Sequence, residues 1–291
     1  MRVIRVCGWN TAEGIAWAHA VMEAVQDYDP ALVPELVAVD YSEAKTGKVF
    51  DLSALDRALL EGRADLAAQS LDSMPFKLPP GLPIVAVGRR EDARTALVAP
   101  LERGVPDQSA PTGVRTGGQL AQMAGLYPNR SFSLVTGSAQ ERLSRLDCGE
   151  FGAMLFSVAE LAEIRGLDRA YEIYSVRRML PFCGQGIIAV QARLGENMAF
   201  LSRFHDVDCW DAAMCERSFA EILGEKIPLA VYAAMRGDRL SARGMMADKN
   251  GRMWTGEMSG GREDAEKIGA ALAAKLRLEA AGPRPLRRYE N

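Results

Sequence analysis

The sequence predicts an α/β protein made of two α/β domains and a small C-terminal α+β domain. In the first part of the chain, short apolar runs of strand length alternate with helical segments, as at residues 3–7 followed by 11–26. A near-continuous apolar run at 187–192 indicates a further strand, which should return to the first domain. Three alternating segments between 227 and 257 then indicate antiparallel strands.

Composition limits the class of protein. The 291 residues are 48% hydrophobic and 25% charged, which is ordinary for a globular chain of two or three domains. A net charge of -3 argues against a general nucleic-acid surface. Residues 1–6 lack the apolar core of a signal peptide, and no apolar stretch approaches membrane-spanning length. We therefore expect a cytoplasmic protein with no nucleic-acid partner and no membrane partner.

The cysteines do not form a recognisable framework. They are scattered without CxxC spacing, as Cys7, Cys148, Cys183, Cys209 and Cys215. Because only His19 and His205 could join them, a structural zinc site is not expected. Reduced and mostly buried thiols are predicted.

The first domain is predicted to comprise residues 1–90 and 187–206. Its strands are expected at 3–7, 36–39, 66–68 and 84–87, with a helix capped by Thr11 that runs to about 26 and another at 53–61 that ends at Gly62. The charged run at 89–94 is interpreted as a hinge, although a solvated turn fits its composition equally well.

The second domain is predicted to comprise residues 91–186 and the third 207–281. For the second, we expect a strand and loop over 97–111, strands at 132–135 and 152–156, and helices at 119–126, 138–147 and 158–164. For the third, we expect strands at 227–233, 241–246 and 252–257 between helices at 210–223 and 262–275. The basic, Pro-rich segment 282–291 is predicted to be disordered.

A polar loop follows the apolar run at 66–68 and closes at Pro75. Ligands of open α/β sheets bind at the carboxyl ends of strands, so this loop is the first site candidate. A weaker candidate is the Gly-rich turn at 112–118, because such a turn ahead of a helix can hold an anion on its backbone amides.

The loop at 69–75, Gln-Ser-Leu-Asp-Ser-Met-Pro, resembles the active-site segment of the hydroxymethylbilane synthase (porphobilinogen deaminase) family, which reads roughly His-Ser-Met-Lys-Asp-Val-Pro. The segments Arg-Leu-Ser-Arg-Leu-Asp at 142–147 and Gly-Gln-Gly at 184–186 are similar to other segments of that family in the same order. The resemblance extends from residue 3 to about 276. It implies two periplasmic-binding-protein-like α/β domains with two crossovers, near residues 88 and 187, the first of them at the charged run 89–94. It also implies an enzyme that links four porphobilinogens into a linear tetrapyrrole.

The resemblance also implies what that reaction requires. A carboxylate stabilises charge near the pyrrole nitrogen, arginines hold acetate and propionate groups, and a cysteine thioether holds a dipyrromethane primer. Ser73 stands where the family has its aspartate, Asp72 stands where it has the preceding lysine, and Glu225 stands where it has the cysteine. We therefore expect no dipyrromethane cofactor and no ordinary polymerisation of porphobilinogen.

The positions at which the family has arginines carry other residues in this sequence. They are occupied here by Trp9, by Gly118 with Gln119, and by Thr136. The family's residues that remain are Arg142, Arg169, Lys48, Ser70 and Gln185. Since Trp, Gly, Gln and Thr cannot replace the bidentate contact of arginine with a carboxylate, a less anionic ligand is predicted.

The site prediction assigns catalysis to Asp72, Ser73 and Glu225 and includes no metal ligand. It assigns substrate binding to Trp9, Lys48, Ser70, Thr116, Gln119, Thr136, Arg142, Arg169 and Gln185. Asp72 is a candidate general acid or charge stabiliser, or else a loop residue that caps the next turn. Glu225 is either a second carboxylate at the cleft or an exposed charge, and Trp9 either stacks on a flat ring or packs.

Three functional hypotheses follow. The first is a transferase-like enzyme with a changed interdomain cleft, acting without dipyrromethane on a pyrrole-related or other small, less anionic molecule. The second is a non-catalytic binding or regulatory protein that keeps the two-domain clamp. The third is a hydroxymethylbilane synthase whose cofactor is attached elsewhere, at Cys183 or Cys215.

Overall fold

The computed structural model describes residues 2–40 and 52–282. In chain order, the strands are β1 (Arg2–Trp9), β2 (Leu32–Val39), β3 (Leu66–Ser70), β4 (Ile84–Val87), β5 (Thr95–Val98), β6 (Thr112–Val114), β7 (Phe132–Leu134), β8 (Ala153–Ser157), β9 (Ala170–Tyr174), β10 (Ile188–Gln191), β11 (Leu229–Arg236), β12 (Arg239–Ala247) and β13 (Met253–Gly261). The α-helices are α1 (Ala12–Tyr28), α2 (Ala54–Leu60), α3 (Gly117–Leu126), α4 (Ala139–Asp147), α5 (Val158–Glu163), α6 (Val207–Leu223) and α7 (Ala265–Ala281).

Two five-stranded sheets of similar design form the body of the protein. The first has the order β2-β1-β3-β10-β4, and the second has the order β7-β6-β8-β5-β9. In the first sheet β1 pairs in parallel with β2 and β3, whereas β10 runs antiparallel between β3 and β4. In the second, β6 pairs in parallel with β7 and β8, whereas β5 runs antiparallel between β8 and β9.

The antiparallel strand of each sheet marks a crossover. The chain leaves the first sheet after β4 and enters the second as β5, and it leaves the second after β9 and returns as β10. A third, antiparallel sheet, β11-β12-β13, packs against α6 and α7. The predicted fold class, two α/β domains with two crossovers and a small C-terminal α+β domain, is confirmed, while the exact domain limits stay a prediction.

The alternation of side chains along β1 explains how the first sheet is buried on both faces. Val6 packs against the apolar stripe of α1, and the next residue, Cys7, packs on the opposite face with Leu55 and Leu59 of α2. Thr11 caps α1 as predicted, because its side chain accepts a hydrogen bond of 3.1 Å from the backbone of Gly14.

A buried ion pair ties both crossovers to the third domain. Arg90, in the predicted hinge, donates to both carboxylate oxygens of Glu216 on α6 at 2.7 and 2.9 Å. The same carboxylate accepts hydrogen bonds from the backbone of Gly184 and Ala233. The Glu216 side chain has no exposed surface, so this part of the hinge is not a solvated turn.

Two strands differ from the sequence prediction. β6 lies inside the stretch interpreted as a Gly-rich turn, and its three residues are too few to show a pattern. β9 alternates exposed and half-buried residues at the edge of the second sheet, so its composition resembles that of a loop. Lys48 and most of the predicted disordered tail lie outside the described residues. No helix among residues 2–40 and 52–282 is long and apolar enough to cross a membrane.

Candidate active site in the interdomain cleft

The predicted loop after β3 lines a cleft between the first two sheets. Two adjoining pockets, of about 80 and 190 Å³, share Asp72 from this loop with Arg115, Ser157 and Glu160 from the second domain. A wider pocket of about 550 Å³ adjoins them and shares Arg115 and Glu160 with both. The cleft therefore lies where the carboxyl end of β3 faces the second domain.

The loop itself is held by short local hydrogen bonds. Residues Leu71–Ser73 form a single 3₁₀ turn. The hydroxyl of Ser70 donates to Oδ1 of Asp72 at 2.7 Å, and the hydroxyl of Ser73 donates to the backbone carbonyl of Ser70 at 2.7 Å. Leu71 is buried, and its backbone N–H donates to the second crossover. The position of the Asp72 carboxylate is therefore fixed before any ligand arrives.

A chain of alternating charges crosses the cleft. Oδ2 of Asp72 lies 3.5 Å from Nη1 of Arg115, and Nη1 of Arg115 lies 2.8 Å from Oε1 of Glu160. Oε1 of Glu160 in turn lies 2.6 Å from Nη2 of Arg142. The chain thus joins a carboxylate of the first domain to three residues of the second.

Glu160 is the centre of this chain. Burial alone would raise the pKa of its carboxyl, but the charges of Arg115 and Arg142 outweigh burial and lower the pKa to about 2. Its other oxygen, Oε2, accepts from the backbone of Ser157 in a capping box at the start of α5. Glu160 is therefore ionised at neutral pH.

Arg115 is positioned from the start of α3. The side chain of Gln119 accepts a 2.8 Å hydrogen bond from the Arg115 backbone, and Thr116 caps the helix by accepting from the backbone of Gln119. Gly118, between them, lies so close to the third domain that an added Cβ would be 1.9 Å from the carbonyl oxygen of Leu229. Backbone of the third domain therefore occupies the space that a side chain at 118 would need.

Gln185 connects the two crossovers beneath the cleft. It is buried, and its side-chain amide donates to the carbonyl of Ala93 at 2.7 Å and to the hydroxyl of Thr95 at 3.2 Å. It also lines the pocket of about 190 Å³. These contacts hold the two crossovers together at the base of the cleft.

The wider pocket has aromatic and acidic walls. Trp9, Trp17 and Glu13 line it from the first domain, and Thr136 and Glu141 line it from the second. Glu141 is already committed to the capping box of α4. The pocket has room for a small ring system.

The structure thus brings together eight of the predicted site residues along the three pockets. They are Trp9, Ser70, Asp72, Ser73, Thr116, Gln119, Thr136 and Gln185. Their roles toward a ligand stay a prediction.

Three other predicted residues do not line these pockets. Arg142 is fully buried behind Glu160, donates to the carbonyls of Gly137 and Leu155, and has its pKa lowered by burial. Arg169 is paired with Asp147, the last residue of α4, at 2.6 Å. Glu225 is exposed in the loop between α6 and β11.

The cleft also contains residues that the site prediction omitted, above all Arg115, Glu160 and Glu13. Glu160 carries a sequence signal, since Ser157 and Glu160 have the spacing of a capping box. Arg115 directly follows a strand that was not predicted, and Glu13 is the acidic residue in the first turn of α1. Their approach to one cleft depends on the packing of the two domains.

The thiols are mostly buried. Burial raises the pKa of Cys7, Cys209 and Cys215 to about 12 and raises that of Cys183 as well. Cys148 is exposed at the end of α4 and lines none of the three pockets.

Comparison with known proteins gives a consistent family. Residues 39–200 match the family model described as porphobilinogen deaminase, dipyrromethane cofactor binding domain. The chain is 33% identical over 284 residues to a porphobilinogen deaminase of Acetivibrio thermocellus, covering 94% of this chain and 97% of the relative. It is 34% identical over 287 residues to one of Alkaliphilus oremlandii, covering 95% and 97%.

A solved structure, the VFT2 domain of Bordetella pertussis BvgS, is similar with a TM-score of 0.46 and 18% identity, covering 69% of this chain and 85% of that chain. A likeness of this size supports no functional inference.

The family match corrects one prediction. The expectation of no dipyrromethane cofactor was wrong, because the matched region is the family's dipyrromethane-binding domain and the curated relatives are porphobilinogen deaminases. That expectation rested on Glu225, a single loop residue of the third domain that lies outside residues 39–200.

The residues of the cleft can be compared with those that binding and attachment of dipyrromethane would require. Arg115, Thr116 and Gln185 offer polar contacts in the matched region. A thioether link would need an accessible thiol at the cleft, and the cysteines of the chain are either buried or, like Cys148, away from its pockets. The thiols as placed here do not fit that link.

Proposed function

This chain belongs to the porphobilinogen deaminase family, and we propose that it is a transferase of this family whose cleft takes a pyrrole-related molecule with fewer carboxylates than porphobilinogen. One observation carries the proposal. Among residues 2–40 and 52–282, Arg115 is the only Lys or Arg side chain that lines the three cleft pockets. The carboxylates of Asp72 and Glu160 already face it.

The charge count of the cleft supports a less anionic ligand. A carboxylate is held well by a planar, bidentate arginine, and each charge-assisted contact of this kind contributes roughly 1.5–3 kcal/mol. Arg115 can serve one carboxylate if it turns from Asp72. A second and third carboxylate on the same ligand would meet Asp72 and Glu160 and be repelled.

Asp72 is the proposed reactive carboxylate. Oδ1 accepts from Ser70, and Oδ2 lies on the side of Arg115, so the carboxylate is oriented along the cleft floor. A pyrrole ring above it would place its N–H, and any positive charge that develops on the ring, next to a fixed negative charge. Preorganised charge of this kind stabilises a transition state because it costs no reorganisation during reaction.

Four other residues act through Asp72 and Arg115. Gln119 and Thr116 position Arg115, and Glu160 holds it from the second domain. Gln185 links the crossovers on which the two walls of the cleft are mounted. These four are positioning residues in the proposal.

The test is turnover of a panel of pyrroles with no, one or several carboxylates, followed by mass spectrometry of substrate and product. Asp72→Asn should lower turnover by roughly a hundredfold or more, because it removes the charge but keeps the shape. Asp168→Asn, an exposed aspartate of the second domain, is the matched control and should behave like the parent.

Two results would contradict the proposal. One is faster consumption of polycarboxylate pyrroles than of those with one carboxylate or none. The other is a tight pyrrole ligand that is always recovered unchanged, which would favour the binding protein over the transferase.

A further inference from the structure

A pocket of about 490 Å³ lies on the third sheet, apart from the cleft. Its walls come from β11, β12 and β13 and from residues 176–180 of the second crossover. It shares no residue with the three cleft pockets. A pocket of this volume has room for a small organic molecule, so it can hold a ligand separately from the cleft.

The pocket begins where packing ends on one face of the third sheet. The other face is closed by α6 and α7, which pack on side chains such as Val231 and Leu240. The face of the pocket is closed at one end, where Ala230 and Met245 pack against Leu180 of the second crossover. Beyond Leu180, side chains of the three strands line the pocket instead of a packed core.

Cross-strand neighbours form the floor of this pocket. Arg243 of β12 lies opposite Glu257 of β13, and Ala234, Ser241 and Ser259 form the next row across the three strands. Because alternate residues of a strand point to the same face, both rows face the pocket. The second row has small side chains, which leave space, and two hydroxyls, which can donate hydrogen bonds.

Arginines dominate the charged side chains of the pocket. Arg177, Arg236 and Arg243 line it together with one carboxylate, that of Glu257. Nε of Arg243 lies 3.4 Å from Oε1 of Glu257, but Glu257 is largely exposed, and ion pairs of this kind contribute little to stability. Since the whole chain has a net charge of -3, the pocket is a local concentration of positive charge.

Two of these arginines are available to a ligand. In the described part of the chain, residues 2–40 and 52–282, the guanidinium groups of Arg177 and Arg236 make no hydrogen bond or ion pair. The segment that carries Arg177 is held against the sheet, because Nη1 of Arg243 donates to the backbone carbonyl of Arg177 at 3.3 Å. A ligand in the pocket would therefore contact both the second crossover and the third domain.

We infer that this pocket binds a small polyanion, a molecule with two or more phosphate or carboxylate groups, through Arg177, Arg236 and Arg243. Planar guanidinium groups hold both kinds of anionic group through paired hydrogen bonds. Several arginines in one pocket favour a ligand with more than one such group. The inference does not depend on the proposed function, because no residue of the cleft takes part.

Isothermal titration calorimetry with four simple anions tests this site. Pyrophosphate and propane-1,2,3-tricarboxylate carry several anionic groups, whereas inorganic phosphate and acetate are their single-group counterparts. The full chain is titrated at low ionic strength without divalent cations, because salt screens exposed charges. We expect at least one polyanion to bind the parent saturably, and roughly tenfold or more tightly than its single-group counterpart. Binding of one polyanion or of both supports the site and identifies the kind of group that it takes.

The double variant Arg177→Gln with Arg236→Gln should weaken polyanion binding roughly tenfold or more. Both positions are exposed, so the melting temperature should change little. Arg203→Gln, at an exposed position outside this pocket, is the matched control and should bind like the parent. Should the double variant fail to fold, the two single variants replace it, and each should weaken binding by a smaller factor.

Three results would overturn the inference. The first is that neither polyanion binds the parent more tightly than its single-group counterpart. The second is that the variants of Arg177 and Arg236 bind polyanions like the parent. The third is that Arg203→Gln weakens binding as much as they do, which would indicate a general attraction to surface charge.

Discussion

Glu160→Gln tests the charge chain that holds the two domains around the cleft. The change keeps the acceptor for the backbone of Ser157 but removes the negative charge that lies 2.8 Å from Arg115 and 2.6 Å from Arg142. Arg142 has no exposed surface, so it would stay charged in the interior without its nearest carboxylate, keeping only its hydrogen bonds to the carbonyls of Gly137 and Leu155. Loss of one partner of a buried pair costs roughly 3–5 kcal/mol.

The lowered pKa of Glu160 gives a second way to calculate the free energy of unfolding that Glu160→Gln would cost. An ordinary glutamate value of 4.5 lowered to about 2 corresponds to about 3 kcal/mol of stabilisation at neutral pH. Because the lowered pKa belongs to the folded state, this stabilisation is complete above about pH 5 and is lost as the pH falls from 4.5 toward 2. We therefore expect Glu160→Gln to cost about 3 kcal/mol at pH 7 and about half of that or less at pH 3.

The assay is urea unfolding at both pH values, followed by circular dichroism and by tryptophan fluorescence to establish that the transitions coincide. Glu163→Gln on the same helix is the control. It should be neutral or slightly stabilising, since the pKa of Glu163 is raised and its ionised form is disfavoured. A Glu160→Gln variant within about 1 kcal/mol of the parent at pH 7, or equally destabilised at pH 3, would refute the reasoning.

Two further substitutions test how the third domain is joined to the cleft. Glu216→Gln should destabilise the protein by roughly 3–5 kcal/mol in the same urea assay, because it leaves the buried Arg90 without its carboxylate; a change below about 1 kcal/mol would contradict this. Gly118→Ala should cost roughly 1–3 kcal/mol of stability, because its Cβ would lie 1.9 Å from a backbone oxygen of β11. Gly125→Ala in the same helix is the control. It should be tolerated, since its Cβ would meet only the flexible end of a methionine side chain.

Local patterns explain why most of the fold was predictable. The first helix was placed by its cap Thr11, and strands such as β4 by their short apolar runs. The strands β6 and β9 were missed because one is only three residues long and the other is a half-exposed edge strand. Periodicity needs more residues, or a consistently buried face, to be visible.

The site was predictable only where a single segment forms it. The loop with Ser70 and Asp72 was identified because it follows a buried strand. The placement of Arg142 behind Glu160, instead of in the open cleft, depends on how α4 and α5 pack, which spacing along the chain does not encode.

The proposed charge of the ligand is tested most directly with porphobilinogen itself. The purified chain and the porphobilinogen deaminase of Acetivibrio thermocellus would be supplied with porphobilinogen side by side, and its consumption and the linear tetrapyrrole formed would be quantified. The proposed function predicts that this chain consumes porphobilinogen roughly a hundredfold or more slowly than the relative, since Arg115 is the cationic side chain that the described residues bring to the three cleft pockets. Tetrapyrrole formation by this chain at the relative's rate would contradict the proposed function.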